Sequence, residues 1–469
     1  MTLSRRAICL LVLASSALAS EVPSGTLWEA RLTSGLSSFK SRKGQRVEAA
    51  VLTPPGSTAA APKGALLIGE LAEVKRVGFG IRRGRATLKP VFHTLLLPDG
   101  EAIPVETRLT ALDNARETVD DKGRILGIRA TSVFGHRMAG ITRNIFIWDP
   151  LIQTVLAGAT TATIRFPEAE IHLPAGSEFF VRLEKPVTLR DDLTVPLPPV
   201  AMASDGEQLT ALVAGLTQTT IDAKTYKEAD LVNLLLLGES EWLERAFRAA
   251  GWVNADPLTK ATGWKSFRAV AEALPYPEAP MSKQLLDESP PEYELSKTIN
   301  NYSQRHHARV FTQKESFRGR PVHAGSATHD VAIDFMFSRF KLTHLIDDDI
   351  DRERAKVVND LIATGCVDAA ELIDRPWAPR EHRNSSGQRL RTDGRIAVLE
   401  LNPCRSPLRA IEPEPAPKPS IWRRIPRQFF LTVRNDFTHN NPVVQAGIGV
   451  KYLWKKMTGR PVTPQSLSR

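Results

Sequence analysis

The chain has 469 residues and a mass of 51.8 kDa, enough for two to four domains at roughly 100–200 residues each. Hydrophobic residues make up 42% and charged residues 24%, which is ordinary for a globular protein and excludes a wholly disordered chain. The 62 Lys and Arg outnumber the 52 Asp and Glu, for a net charge of +10. A basic excess suits nucleic acid, an anionic membrane or a polysaccharide, so its position along the chain decides its meaning.

The first residues have the pattern of an export signal. Arg5 and Arg6 form the charged start, residues 7–13 are apolar, and the small-residue motif at 17–19 precedes Ser20. The apolar stretch is shorter than the about 20 residues that span a bilayer. The alternative is a buried N-terminal helix, but the three features occur in signal order. We predict a signal peptide over residues 1–19.

Cysteine usage is compatible with an oxidising compartment. Cys9 lies in the predicted signal, which leaves Cys366 and Cys404. Export permits a disulfide between them, and two unpaired thiols remain the alternative. The sequence has no CxxC pair, and therefore no zinc ribbon or thioredoxin-type redox motif.

Residues 20–190 are predicted to form a β-rich module, a small barrel or sandwich. Residues 22–32 reappear as residues 173–183, and each copy is a Pro-x-Gly turn followed by a strand that ends in Arg-Leu. A partial third copy covers residues 62–69. Repeated turn-and-strand units are typical of barrels and sandwiches. With the Leu-Pro-Asp-Gly turn at 97–100, this segment resembles the TrbI-like β-domains of type IV secretion core proteins, which implies an envelope scaffold more than an enzyme.

After a linker at 191–229, residues 230–376 mix strands and helices without strict alternation, so we predict an α+β domain. Residues 231–237 form a predicted buried strand. Ser240 is positioned to cap a helix that ends at Gly251. Two more helices are predicted, at about 264–274 and at about 350–363, the second closed by Gly365.

Five of the ten histidines lie between His306 and His344. Imidazoles and carboxylates are the ligands of zinc and similar divalent ions, and an imidazole also suits acid–base work. Neighbours on a strand point to opposite faces, so His306 and His307 cannot both line one site. His329 shares a face with apolar residues, which favours a hydrogen-bonded core histidine. The sequence has no HExxH, GxSxG or phosphate-binding loop motif.

The acidic run at 347–353 permits two interpretations, a calcium site or the start of a helix. It lacks the glycine and the ligand spacing of an EF-hand loop. We therefore expect Asp348 to cap the following helix, with Asp351 and Glu353 in its first turn, rather than calcium binding.

Residues 230–368, about a third of the chain, resemble the LssY C-terminal domain family, a bacterial envelope-associated domain without an established activity. The blocks that carry this resemblance are residues 230–233 with Gly238, 250–252, 255–258, 276–282, 304–309, 319–321 and 343–354. The resemblance implies a polar core made of His307, Asp330, His344 and Asp347, and it does not include His329. Asp348 stands where the family tends to have proline. Some members carry membrane phosphatase-like modules, but no such module is visible in this sequence, so no phosphatase activity carries over.

A polar, proline-rich linker at 377–420 leads to a basic, aromatic tail at 421–469. Residues 418–469 contain ten Lys and Arg and one acid, a net +9, with six interleaved aromatic residues. Without Arg5 and Arg6 the mature chain carries +8, so the rest of the chain is close to neutral. The tail suits an anionic membrane surface or envelope polymer. The export signal argues against RNA stacking, and a terminal strand pair packed on the second domain is the structural alternative.

The leading hypothesis is an exported bacterial cell-envelope protein, periplasmic or peripheral to the membrane, with a scaffold or binding role and with possible envelope protein partners. The alternative is a metal-dependent hydrolase in which His307, Asp330, His344 and Asp347 hold a divalent metal such as zinc that activates water.

Overall fold

The computed structural model describes residues 19–52, 64–78, 84–114, 116–128, 168–190, 198–200, 205–272, 276–298, 304–336 and 341–404, together with single positions of the tail. Side chains at 19–20, 270–272 and 332–344 are not described. The export-signal prediction at 1–19 therefore falls almost wholly outside the described residues.

The first unit is built from strands. They are β1 (Ala19–Val22), β2 (Leu27–Leu32), β3 (Leu36–Ser37), β4 (Arg46–Leu52), β5 (Leu66–Lys75), β6 (Thr87–Leu96), β7 (Ala102–Pro104), β8 (Thr107–Leu112), β9 (Thr118–Val119), β10 (Ile125–Leu126), β11 (His172–Leu173), β12 (Glu178–Leu183) and β13 (Val187–Arg190). The main sheet has the order β8-β12-β2-β4-β5-β6-β10-β9, with β7 beside β6. β1 pairs with β13, and β3 pairs with β11.

The two ends of this sheet approach each other and nearly close a barrel. Arg108 on β8 donates from Nη1 to the carbonyl oxygen of Asp121, 3.0 Å away, in the turn between β9 and β10. Gly123 in the same turn lies so close to β8 that a Cβ there would be 3.3 Å from the carbonyl oxygen of Leu109. The barrel is filled by inward side chains, including Trp28 and the stacked rings of Phe92 and Phe179.

The sequence repeat has a structural counterpart. Its two copies pair antiparallel with each other as β2 and β12. Gly25 donates to the carbonyl of Leu183 at 2.7 Å, and Gly176 donates to that of Leu32 at 2.8 Å. Both glycines have φ near +90° (87° and 89°), a conformation that glycine adopts at little cost. Each turn therefore positions its own strand and bonds the end of the other.

The second unit combines helices with a large sheet. Its helices are α1 (Gly206–Gly215), α2 (Ser240–Ala249), α3 (Lys260–Glu272) and α4 (Ile350–Ala363). Its strands are β14 (Thr219–Asp222), β15 (Glu228–Leu231), β16 (Leu234–Leu237), β17 (Val253–Asn254), β18 (Gln284–Leu285), β19 (Tyr293–Lys297), β20 (Arg305–Phe317), β21 (Arg320–Met336), β22 (Lys341–Ile346), β23 (Val367–Asp374), β24 (Glu381–Arg383), β25 (Arg389–Arg391) and β26 (Arg395–Leu401).

The large sheet has the order β17-β19-β20-β21-β16-β26-β23, with β22 beside β21. One apolar core lies between one face and helices α2 and α4, and a second lies between the other face and α1. β15, β14 and β18 form a separate sheet, and β24 and β25 form a hairpin. The predicted fold class, a β-rich barrel module followed by an α+β domain, is confirmed.

The second unit extends beyond its predicted bounds of 230–376. Helix α1 and strand β14 lie within the predicted linker 191–229, and β26, inside the predicted linker 377–420, pairs with β16 and β23 in the large sheet. The sequence around β26 is polar outside the strand itself. The strand itself is an apolar run, RIAVLEL, which the prediction of a linker over 377–420 passed over.

Several local predictions need correction. The run at 231–237 divides into β15 and β16, because the Asn233 side chain bonds both backbone groups of Ala327 and carries the chain between two sheets. Ser240 begins α2 but does not cap it, since Glu239 occupies the cap position without a side-chain bond. Asp348 does not cap α4, because its carboxylate pairs with Arg391 at 2.9 Å.

Other local predictions are confirmed. Helix α4 covers Ile350–Ala363 as expected, with Asp351 and Glu353 in its first turn. Gly251 and Gly365 follow their helices with positive φ of 86° and 77°. Both act as the left-handed residue that ends a helix.

Cys366 and Cys404 form a disulfide across 38 residues, which settles the alternative between a bridge and two free thiols. Cys366 follows α4 and Cys404 follows β26, so the bond ties the helix layer to the sheet.

We expect the double variant Cys366→Ser/Cys404→Ser to lose about 2–4 kcal/mol of unfolding free energy, because the bond restricts the unfolded chain. Urea unfolding with and without reductant measures this. The reductant should lower the midpoint of the wild-type mature chain and leave that of the double variant unchanged. An equal effect on both proteins would contradict the prediction.

Candidate functional site at the interface of the two units

The outer surface of the barrel carries charged residues that are nevertheless buried. Trp28, Ala30 and Leu32 on β2 point into the barrel, so the alternate residues Glu29 and Arg31 point outward. Arg31 donates from Nε to Glu178 Oε1 on β12 at 2.7 Å, and Glu178 is 0% exposed. These side chains lose contact with water because the second unit covers this side of the barrel.

The second unit supplies the opposing charges. Lys297 ends β19, and Lys356 and Asp360 lie one turn apart on α4. Asp360 Oδ1 accepts from Arg31 Nη2 at 2.8 Å and from Lys356 Nζ at 2.7 Å. Its Oδ2 accepts from Lys297 Nζ and from Trp252 Nε1, both at 2.9 Å.

Glu178 is the counterpart of Asp360 on the barrel side. It accepts from Lys297 at 2.7 Å and also from Lys356. Lys356 lies 3.1 Å from Glu29 as well. We call these six charged residues the interface cluster: Glu29, Arg31, Glu178, Lys297, Lys356 and Asp360. It contains three cations and three carboxylates, so its formal charge balances.

The pKa shifts show how strongly these groups depend on one another. Burial alone would raise the pKa of Glu178, but Lys297, Lys356 and Arg31 outweigh burial and hold it well below its usual range. Burial would lower the pKa of Lys356, but Asp360, Glu178 and Glu29 raise it well above its ordinary value. For Glu29 and Lys297, burial outweighs the partners, so it raises the pKa of Glu29 and lowers the pKa of Lys297. The charges of Glu178 and Lys356 are thus stable because their partners are present.

His306 adjoins the interface cluster and also joins the two units. Its Nδ1 donates to Glu353 on α4 at 2.7 Å, and its Nε2 donates to Asp113, which follows β8, at 2.9 Å. Burial lowers the pKa of His306, but Asp113 and Glu353 overcome this effect and raise it well above its usual value. The ring is therefore an imidazolium between two carboxylates.

His329 stacks on His306, with ring centroids 4.4 Å apart and planes 18° apart. The two residues are directly paired on the adjacent strands β20 and β21. Burial and the charge of His306 lower the pKa of His329 and favour its neutral form. Among the described residues, Asp113, His306 and His329 are the group whose ligand atoms could hold a metal ion, all within 4.8 Å of one another.

His307 points to the opposite face of β20, as strand alternation predicts. Its Nε2 lies 2.6 Å from Asp330 Oδ2, and its Nδ1 lies 3.1 Å from Met281 Sδ. Burial lowers the pKa of His307 to about 4, against the opposing effect of Asp330. A neutral imidazole therefore donates its Nε2 hydrogen to the Asp330 carboxylate.

The four predicted metal ligands have different positions. His307 and Asp330 are in contact and buried. Asp347 lies at the start of α4, where its carboxylate accepts from the backbone of Asp349 at 3.1 Å. His344 lies on β22, and its side chain falls outside the described ones. The structure brings the first two together and gives Asp347 a role in the turn before the helix.

Sequence reasoning did not select Asp113, His306 and His329. The turn at Arg318–Gly319 joins two long strands and sets a register in which His306 faces His329. That pairing could have been found by aligning the two strands around the turn. Asp113 could not have been found in this way, because it belongs to the other unit and is 193 residues from His306 in the sequence.

We expect Glu178→Gln to reduce the unfolding free energy by about 3–5 kcal/mol, because it leaves buried cations without full compensation. Glu48→Gln is the matched control: Glu48 pairs with Arg46 on the exposed side of β4, and loss of such a surface pair costs about 0–1 kcal/mol. Urea unfolding monitored by tryptophan fluorescence compares the two variants. Equal losses would show that the interface cluster does not stabilise the fold.

Among the residues that the structure describes, no helix is long and apolar enough for a membrane crossing. Comparison with curated proteins finds no match to the chain. Among solved structures, the chain is similar to ComB10 of the Com type IV secretion system of Helicobacter pylori, at 15% identity and a TM-score of 0.19, over 35% of this chain and 88% of that chain. These comparisons establish no activity, and they do not support the metal-dependent hydrolase.

The family comparison concerns the second unit. Residues 213–396 match the family model described as LssY C-terminus. The match includes α1 only at its end, and it contains His306, His307, His329 and the helix α4 with Lys356 and Asp360. The resemblance of the second unit to the LssY C-terminal family is therefore confirmed over residues 213–396.

Proposed function

We propose that the protein is an exported bacterial cell-envelope scaffold, in which the barrel and the LssY-like unit act as one rigid body and the basic tail attaches this body to an anionic membrane surface. The single observation that carries the proposal is the interface cluster. Its charges come from both units and are compensated across the interface.

The burial of the cluster favours a structural role over a catalytic one. Lys297, Lys356 and Arg31 each have at least two carboxylate partners inside the protein, and their side chains are less than one-tenth exposed. A substrate would have to displace these partners. Losing one partner of a buried ion pair is strongly unfavourable, because the other charge stays buried without compensation. Such an interface suits two units that keep a fixed orientation.

The compartment is argued from the signal features and the disulfide. Residues 1–19 have the order of an export signal, with Arg5 and Arg6, an apolar stretch and a small-residue motif before Ser20. The disulfide between Cys366 and Cys404 is a bond that persists in secreted and periplasmic proteins and is rare in the cytosol. Both observations support export to the cell envelope.

The described positions of the tail support a surface contact. They are helical, and Trp422, Val450 and Met457 are 86%, 67% and 83% exposed. Arg427 is buried and pairs with Glu168 and Glu170 of the barrel unit. The tail is thus anchored to the barrel through Arg427, while Trp422, Val450 and Met457 face outward. Apolar side chains on a segment of net charge +9 suit an interface with anionic lipid.

We expect the variant Trp422→Ser/Met457→Ser to bind vesicles of phosphatidylglycerol and phosphatidylcholine at least about tenfold more weakly than the wild-type mature chain, since a buried large apolar side chain contributes about 1.5–3 kcal/mol. A chain ended after Pro417 should lose binding altogether. Vesicle sedimentation at low salt measures both.

The matched control is Trp264→Ser. Trp264 is 53% exposed on α3 in the second unit, and its replacement should leave vesicle binding unchanged. Unchanged binding after truncation would overturn the membrane proposal. Binding to an anionic polysaccharide but not to vesicles would assign the tail to an envelope polymer instead.

A further inference from the structure

The histidine pair beside the interface cluster has the composition of a metal site. His306 on β20, His329 on β21 and Asp113 after β8 place one ligand atom each within 4.8 Å of one another. Two imidazoles and one carboxylate are the donors that zinc and related divalent ions prefer. The histidines belong to the LssY-like unit and the aspartate belongs to the barrel.

The outer contacts of His306 fit a ligand. Its Nδ1 bonds Glu353 at 2.7 Å, while its Nε2 faces Asp113 at 2.9 Å. Ligating histidines usually donate their second ring N–H to a carboxylate, which fixes the tautomer and directs the other nitrogen toward the ion. Glu353 occupies that supporting position, and the space between Nε2 and Asp113 is where a proton now lies.

His329 supplies an independent observation. Its Nε2 is buried and has no hydrogen-bond partner among the described residues. Buried polar side-chain atoms are normally satisfied, so an unsatisfied nitrogen needs an explanation. The nearby rings are stacked, so one ring must tilt for both nitrogens to face the same ion. His329 is the ring that would turn, because its Nε2 has no hydrogen bond to lose and the terminal torsion of histidine is broad.

The local charge also favours a divalent ion. Two carboxylates, Asp113 and Glu353, lie against the one ring of His306, at 2.9 Å and 2.7 Å. A divalent ion that replaces the Nε2 proton would neutralise both carboxylates. A buried group is most stable when its charge is balanced.

We propose that His306 Nε2, His329 Nε2 and the Asp113 carboxylate bind one divalent transition-metal ion, with Zn²⁺ as the ion that these donors suit, and that this ion fastens the barrel to the LssY-like unit. Binding forms the metal–nitrogen and metal–oxygen bonds and releases the Nε2 proton of His306 to solvent. Water completes the coordination.

The test uses the mature full-length chain, stripped with chelator, dialysed and titrated with ZnCl₂ by calorimetry in two buffers of different protonation enthalpy. We expect one ion per chain, about one proton released per ion, and a higher melting temperature with zinc because the ion binds the folded state. His329→Gln and Asp113→Asn should each weaken zinc binding by more than about 100-fold, which is the upper end of the loss caused by removing an outer-shell partner.

His93→Ala is the matched control, because His93 is an exposed histidine on β6 whose ring bonds only its neighbour Thr94 among the contacts described. It should bind zinc as the wild type does. No binding by the wild type, or equal binding by His329→Gln and Asp113→Asn, would overturn the proposal. Circular dichroism checks that each variant folds. The two variants remove ligands from different units, so the proposal is tested even if only one of them folds. Vesicle binding by the tail should not depend on zinc, so failure of the metal site leaves the scaffold proposal standing.

Discussion

The arrangement of the two units depends on the pairing of Glu178 and Asp360 with Arg31, Lys297 and Lys356. Removing a single ion from water costs several kcal/mol even after relaxation. Here each carboxylate accepts bonds from cations of both units. If the units separated, each of these charges would lose its ion-pair partners and would have to be hydrated. If the units shifted relative to each other, the charges would stay buried but unpaired. The cluster therefore specifies one relative orientation of barrel and sheet.

The barrel can present these charges because its β2–β12 pair is hydrogen-bonded along its length and at both ends. The repeated Pro-x-Gly turns give both strands the same start, and each turn bonds the end of the opposite strand. Apolar residues at alternate positions fill the barrel, which forces Glu29, Arg31 and Glu178 to its outer surface. On the other side, helix α4 carries Lys356 and Asp360 on one face and apolar residues on the face that packs against the sheet. The alternation of β2 and β12 and the two faces of helix α4 thus place the charges opposite each other.

The long strand β20 serves two polar systems at once. His306 faces the barrel and is held as a cation by Asp113 and Glu353, while His307 faces the other side and is neutral beside Asp330. The two adjacent histidines differ in protonation because strand alternation places them on opposite faces of the sheet, where they contact different carboxylates. The histidines that are close together in this sequence therefore do not form one site, because they lie on opposite faces of the sheet.

The sequence alone determined the fold class, the repeat in the barrel, helix α4 with its closing glycine, and the similarity of the second unit to the LssY C-terminal family. These features are local or recurrent: they depend on turn glycines, on alternation and on apolar spacing within short segments. Only the tertiary structure decided that Asp113 meets His306, that Arg31 meets Asp360 and that Cys366 meets Cys404. These partners are 193, 329 and 38 residues apart. A charged residue at an outward strand position has the same pattern in the sequence whether water or another unit covers it, so only the docking of the two units shows which charges are buried.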